Sequence, residues 1–289
     1  MIYETAADWK NTRHKRVALF GMSGLGKTHV ASALRASGGW FHYNVDCRIG
    51  TRYMGEYIVD NLKREAMKNP FLAPLLRSDS IDISSNISFN NLAPLSTYLG
   101  KPGDIAKGGI VFKDYMQRQN QHRAAEINAL TDTGYFIDRA RDLYNYDHFI
   151  CDTGGSICEV VDPNDPNDPV LQNLSSTVLL VWIKGSEGHS EQLVERFNAA
   201  PKPMYYPPDI MRDMWRRYLD LKGCDEASVD PDDFIRWGYA EALSHRQPRY
   251  QAMAKNWGVT IRAQDVAKLA TPDDFNHLIT DAIAAKLDL

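Results

Sequence analysis

The 289-residue chain carries 33 Lys+Arg against 37 Asp+Glu, with 44% hydrophobic and 24% charged positions. That balance is globular and excludes collagen-like, low-complexity and wholly disordered chains. A formal net charge of −4 leaves no basic footprint, so no nucleic-acid partner is expected.

The length suits one large core, or a core with an inserted or lid domain. The longest apolar run, Val178–Ile183, falls well short of the roughly 20 residues a bilayer span needs. No membrane association is expected. The opening stretch MIYETAADWKNTRHKR has no apolar h-region, which argues against secretion. Cys47, Cys151, Cys158 and Cys224 are scattered, with no CxxC pair, so neither a disulfide framework nor a zinc site is indicated. The expected location is cytoplasmic.

In chain order, Arg16–Phe20 is a short apolar run of the kind a buried parallel strand makes. It enters GMSGLGKT and then HVASALRASG, a helix pattern closed by Gly38 and Gly39. Trp40–Val45 follows as a second strand candidate, ending at Asp46. The opening therefore reads strand, glycine-rich turn, helix, strand. Residues 51–115 break the alternation with a helix-like Tyr57–Met67 and a Ser/Asn-rich, proline-punctuated Ser78–Pro102, and they read as an inserted segment. Helix patterns resume over Phe112–Leu130 and Tyr135–Tyr144, and strands over His148–Cys151 and Thr177–Ile183. Between those strands lies VDPNDPNDP, a surface loop whose Asp content suggests calcium but lacks the EF-hand pattern. Further helices are expected over Glu191–Asn198, Ile210–Leu221, Pro231–Leu243, Arg249–Trp257 and Pro272–Leu287, with a last strand at Gly258–Ile261. The expected fold is α/β, a P-loop NTPase three-layer fold with a five-stranded parallel sheet and helices on both faces. The core takes residues 1–50 and 116–289, with a lid around 196–210.

Gly21, Met22, Ser23, Gly24, Leu25, Gly26, Lys27 and Thr28 satisfy G-x-x-x-x-G-K-[ST] at every fixed position. The glycines permit backbone conformations closed to other residues and let successive N–H groups line a concavity. The helix starting near Lys27 adds its partial positive charge behind a bound phosphate. Lys27 is expected to reach the β- and γ-phosphates and the Thr28 hydroxyl to ligate Mg²⁺, with His29 next along the nucleotide-binding run. A chance match in a chain this long has a probability of roughly 1% at average composition. ATP and Mg²⁺ are the expected cofactors.

Open α/β sheets bind ligands at the carboxyl ends of their strands. Asp46 and Arg48 follow the second strand, and Asp152, Thr153, Gly154, Gly155 and Ser156 close the third. An acid at such a position can hold Mg²⁺ or take a proton from an acceptor hydroxyl. Either Asp46 or Asp152 fits as the base.

These elements together resemble the shikimate kinase group of P-loop small-molecule kinases. LFGMSGLGKTHVASAL is similar to that group's first strand, phosphate loop and helix. His122-Arg123-Ala124-Ala125-Glu126 resembles its FRxxE segment, which implies that Arg123 grips a substrate carboxylate. Thr153-Gly154-Gly155 resembles the TGGG loop that lies against substrate, and Arg246-Gln247-Pro248-Arg249-Tyr250 resembles R-x-P-x-Y, which implies a substrate contact for Arg246. There are departures. The group's D-x-D is Asn44-Val45-Asp46-Cys47-Arg48 here, which leaves one acid; Asp46 is placed at the magnesium or base position, with Arg48 facing substrate. The lid arginine has Lys202 as its nearest equivalent, with Arg196 as another candidate, and the third loop glycine is Ser156. With the extra residues 51–115, these departures imply an acceptor other than shikimate. The expected activity is transfer of the γ-phosphoryl group to a hydroxyl of a small anionic metabolite. The alternative is an ATPase or nucleotide-dependent switch whose insertion binds a protein partner.

Overall fold

The computed structural model describes residues 1–186 and 188–287, the last in backbone only. Glu187, Asp288 and Leu289, which fall in the expected core range, lie outside the described residues. The chain divides into two units. One comprises Met1–Val45, Ile127–Ala200 and the residues from Arg236 on; the other comprises Asp46–Glu126 and Pro201–Ile235.

The first unit is built on five parallel strands, β1 (Arg16–Phe20), β2 (Trp40–Asn44), β3 (His148–Asp152), β4 (Leu179–Lys184) and β5 (Gly258–Arg262), in the order β2-β3-β1-β4-β5. β1 is central, pairing Leu19 with Asp152 on one side and with Val181 on the other. Its residues Val17–Phe20 are fully buried, as are Leu179, Leu180, Val181 and Ile183 of β4. Such strands read as unbroken apolar runs because both sheet faces are covered. The chain leaves β1 toward β2 on one side of the sheet, but leaves β3 toward β4 on the other. Right-handed crossovers then put the helix Lys27–Ala36 on one face and the later crossover helices on the opposite face. The result is the P-loop NTPase three-layer α/β fold.

The aspartate-rich loop closes on itself through its own carboxylates. Asp168 accepts from the amides of Val170 and Leu171 as N-cap of the helix Pro169–Thr177, and its other oxygen accepts from Asp162. Asp162 and Asp165 each accept from the amide two residues on. These are Asx turns, which give the loop's aspartates a structural role in its backbone.

Two sequence boundaries need correction. The stretches read as separate helices, Pro231–Leu243 and Arg249–Trp257, form one helix, Pro231–Trp257, with Pro248 inside it. Proline removes one backbone hydrogen bond, but buried Leu243, Tyr250, Met253 and Ala254 anchor both sides of the interruption. Residues 46–50, 116–126 and 201–235, expected in the core, cluster with the second unit.

That second unit is helical, with the helices Gly55–Ala66, Leu72–Arg77, Ala93–Leu99 and Pro208–Lys222 and most of Phe112–Thr131. Its core is aromatic. Trp215 stacks on Phe112 at 4.6 Å and meets Phe234 edge-on at 4.8 Å. The inward face of Phe112–Thr131 carries Tyr115, Gln119, His122 and Glu126, all nearly or fully buried. Gln119 is satisfied by the backbone of Met204 and Tyr206, which ties the irregular 201–207 stretch to this unit.

Candidate active site at the β1–β3 crevice

Because the connections after β1 and β3 depart in opposite directions, the crevice between these adjacent strands is the topological switch point of the sheet. Two loops meet there, Gly21–Gly26 after β1 and Thr153–Ser156 after β3.

Gly21 has φ +137°, and a Cβ on it would lie 2.7 Å from the carbonyl oxygen of Ile183. Only glycine lets the chain turn out of β1 so close to β4. Gly26, in the left-handed region, is the N-cap of the helix Lys27–Ala36, and its carbonyl accepts from Val30. Buried Lys27 folds back on the loop, and its Nζ donates to the carbonyls of Gly21 and Met22 at 2.8 Å each. The lysine therefore ties the start of the helix to the first two residues of the loop.

Thr28 donates its hydroxyl to Oδ2 of Asp152 at 2.5 Å. The other Asp152 oxygen accepts from the Gly154 amide at 3.2 Å, while Thr153 donates to the Leu19 carbonyl at 3.0 Å. Asp152 is 2% exposed, and its two hydrogen bonds fix the orientation of the carboxylate. Gly154 has φ +75°, and Gly155 approaches Gly21 and Ser23 closely enough that a Cβ would reach van der Waals contact with both. The two loops thus form one continuous surface.

Arg196, on the helix His189–Ala199, lies over Gly24, its guanidinium 3.4 Å from where a Cβ on that glycine would be. His189 of the same helix approaches the Ser23 carbonyl at 3.1 Å through Nε2. This puts the Arg196 guanidinium at the rim of the glycine loop. Lys202 is exposed and belongs to the second unit.

The remaining expected residues fall as follows. Gly21, Ser23, Gly24, Leu25, Gly26, Lys27, Thr28 and His29 form the loop and the start of its helix, with Ser23, Thr28 and His29 exposed and Leu25 buried. Asp46 and Arg48 sit half-buried on the short helix Val45–Arg48, in the second unit, with the Arg48 guanidinium 5.5 Å from the Tyr53 ring centre. The acid that meets Thr28 is Asp152. Arg123 is exposed on the helix Phe112–Thr131, whereas its neighbour His122 is buried, stacks on Tyr205 and faces Glu126 at 3.6 Å.

Arg246 is 5% exposed, and its Nε donates to Glu159 at 2.8 Å. His245 approaches the other Glu159 oxygen at 3.2 Å. Burial and the Glu159 charge act in opposite directions on the guanidinium, and the carboxylate prevails, so its pKa is raised above its ordinary value. Glu159 carried no sequence signal, because it lies 87 residues from its partner and reads as a surface charge.

Among the described residues no group of three or more His, Cys, Asp or Glu is placed to hold a metal. A hydroxyl and one carboxylate suit a hard cation that keeps water and phosphate ligands, which is how Mg²⁺ binds in phosphoryl-transfer sites. Among the described residues no helix is long and apolar enough to cross a membrane.

No known family model matches the chain, and no curated protein matches it. A crystal structure of shikimate kinase from Bacteroides thetaiotaomicron aligns at 14% identity over 95% of this chain and 99% of that one, with a TM-score of 0.37.

Proposed function

We propose that the chain is an ATP- and Mg²⁺-dependent phosphotransferase acting on a hydroxyl of a small anionic metabolite other than shikimate. The observation that carries this reading is the contact between Thr28 and Asp152 at the switch point, beside a glycine loop that Lys27 ties to its helix. A hydroxyl and a carboxylate held together at the root of a phosphate loop form the metal-holding pair of a P-loop NTPase. Bound MgATP supplies the transferable phosphoryl group and the divalent charge that offsets its negative oxygens. The loop amides and the helix N-terminus bind the polyphosphate, and Lys27 and Arg196 add positive charge around it. In this reading Asp152 takes the metal, and Asp46 keeps the base role expected of it from the sequence. Arg48, Arg123 and Lys202 keep the anion-binding roles that the resemblance implies, as part of the same proposal.

One observation favours the alternative, an ATPase or switch whose 51–115 segment binds a protein partner. Arg246, expected on the acceptor, is already held by Glu159. The two readings separate on ADP release from MgATP, measured with and without a panel of hydroxylated carboxylic acids and phosphates. Stimulation by one acid, with a phosphorylated product by mass, supports the kinase. Turnover that no acid changes, together with a protein partner that changes it, supports the switch.

A further inference from the structure

One segment of the helix Pro231–Trp257 reaches both loops of the crevice and the helix His189–Ala199. Tyr250, fully buried, donates its hydroxyl to the Gly155 carbonyl at 2.5 Å. Arg249 donates to the carbonyls of Cys158 and Val161, and Arg246 to the Glu159 side chain, so three residues hold the stretch 155–161 at four points. Gln247 points the other way, with Nε2 2.8 Å from the sulfur of Met22 in the phosphate loop and 3.3 Å from the Ser190 hydroxyl. Ser190 lies one residue from His189, on the helix that places Arg196 over Gly24. Farther back, Tyr239 stacks on Phe197 of that helix at 3.9 Å.

The turn is tied to β1 through Thr153 and to Asp152 through the Gly154 amide, but its two glycines bring no side-chain anchor of their own. Gly154 and Gly155 have no side chains, and glycine is the residue with most backbone freedom to lose. Held from outside, the turn keeps the Gly154 amide on Asp152 and Asp152 on Thr28.

We propose that Arg246, Arg249 and Tyr250 are positioning residues, which act through the Gly154–Gly155 turn to fix Asp152 for phosphoryl transfer rather than contacting the acceptor. The proposal rests on the phosphate loop being the nucleotide site. It reassigns Arg246 from substrate ligand to strut, because a guanidinium engaged by a buried carboxylate has its charge already compensated.

The test uses the full chain with Tyr250→Phe and Arg249→Lys, which remove loop-holding hydrogen bonds but leave the buried Arg246–Glu159 pair intact. Ile283→Val, in the core away from the crevice, serves as the stability control. Two quantities are read. The first is amide hydrogen exchange over residues 150–161 without nucleotide. The second is kcat against KM for MgATP in ADP release. The expected result is exchange over 150–161 faster in both variants and unchanged in the control, with kcat down about tenfold to hundredfold, as small misplacements at a reacting centre produce. KM for MgATP should stay within about twofold, since ground-state binding is untouched. Exchange that matches the control, or a loss that falls wholly on KM, overturns the proposal. If wild-type chain binds no MgATP, the nucleotide reading fails; the exchange arm then still decides whether these residues hold the turn.

Discussion

Thr28 donates its hydroxyl to the Asp152 carboxylate at 2.5 Å, although 124 residues separate the two along the chain. They meet because β1 and β3 are neighbours and Leu19 and Asp152 are in register, so the end of one strand delivers an acid beside the start of the other strand's helix. If the pair holds Mg²⁺, Asp152→Asn should lower kcat for ADP release by about 100-fold or more, the scale of removing one group aimed at developing charge. Thr28→Val should lower it too, and the double variant should fall well short of the product of the two losses. A Mg²⁺ titration of each variant checks this.

Gly21→Ala tests the loop's shape. The new Cβ would sit 2.7 Å from a backbone oxygen at a φ of +137°, so the strain cannot be relieved by a side chain moving aside. The expected cost is about 1–3 kcal/mol of unfolding free energy, read from urea denaturation, with nucleotide affinity falling in the same variant. Gly38→Ala offers the contrast. It also has positive φ but nothing within 4 Å of its Cβ, so it should lose stability through strain alone and keep its affinity.

The buried Arg246–Glu159 pair should be expensive to break. Glu159→Leu leaves a guanidinium buried without its carboxylate, which costs about 3–5 kcal/mol. The double variant with Arg246→Met should recover most of that stability, because a well-packed apolar pair can replace a buried ion pair. Chemical denaturation of both variants checks this.

His42 gives the fold an acid-sensitive element. It is buried on β2, and burial lowers its pKa from 6.5 to about 4, with Asp152 partly opposing the shift. The unfolded chain therefore binds a proton that the folded chain refuses between those two values. Stability is full above pH 6.5 and declines as pH falls toward 4, by about 3 kcal/mol in total for a shift of this size. His42→Gln should flatten that part of the curve relative to wild type, measured as unfolding free energy against pH from 7 to 4.

Much of this architecture was legible in the sequence. β1 and β4 announced themselves as apolar runs, β1 stopping at Gly21, and β3 closed on Asp152; β2 was read one residue too long, since it ends at Asn44 and Asp46 falls in the helix Val45–Arg48. The signature of the glycine loop is local, its fixed positions falling within eight residues, so spacing alone marked it, whereas Ile183, His189, Arg196 and Gln247, which pack against it, are distant in the chain. Pairings across the chain were not legible. Glu159 reads as a surface acid until the fold brings Arg246 to it. The helix Phe112–Thr131 hid its inward face, because Gln119, His122 and Glu126 stand where apolar residues normally mark burial. Arg123, beside them, is exposed for the same geometric reason. The extent of the second unit was hidden too. Nothing local in 201–235 shows that Trp215 will stack on Phe112, more than 100 residues earlier.

In the function proposed above, the loop from Gly21 to Thr28 binds a nucleoside triphosphate through its amides, Lys27 and a magnesium ion on Thr28 and Asp152. Calorimetric titration of MgATP into the wild-type chain and into Lys27→Ala tests it most directly. The expected result is one saturable site in the wild type, weakened by at least about tenfold when EDTA removes the metal and by a similar factor in the variant. Equal affinity in the wild type and Lys27→Ala, or no binding in the wild type, would contradict it.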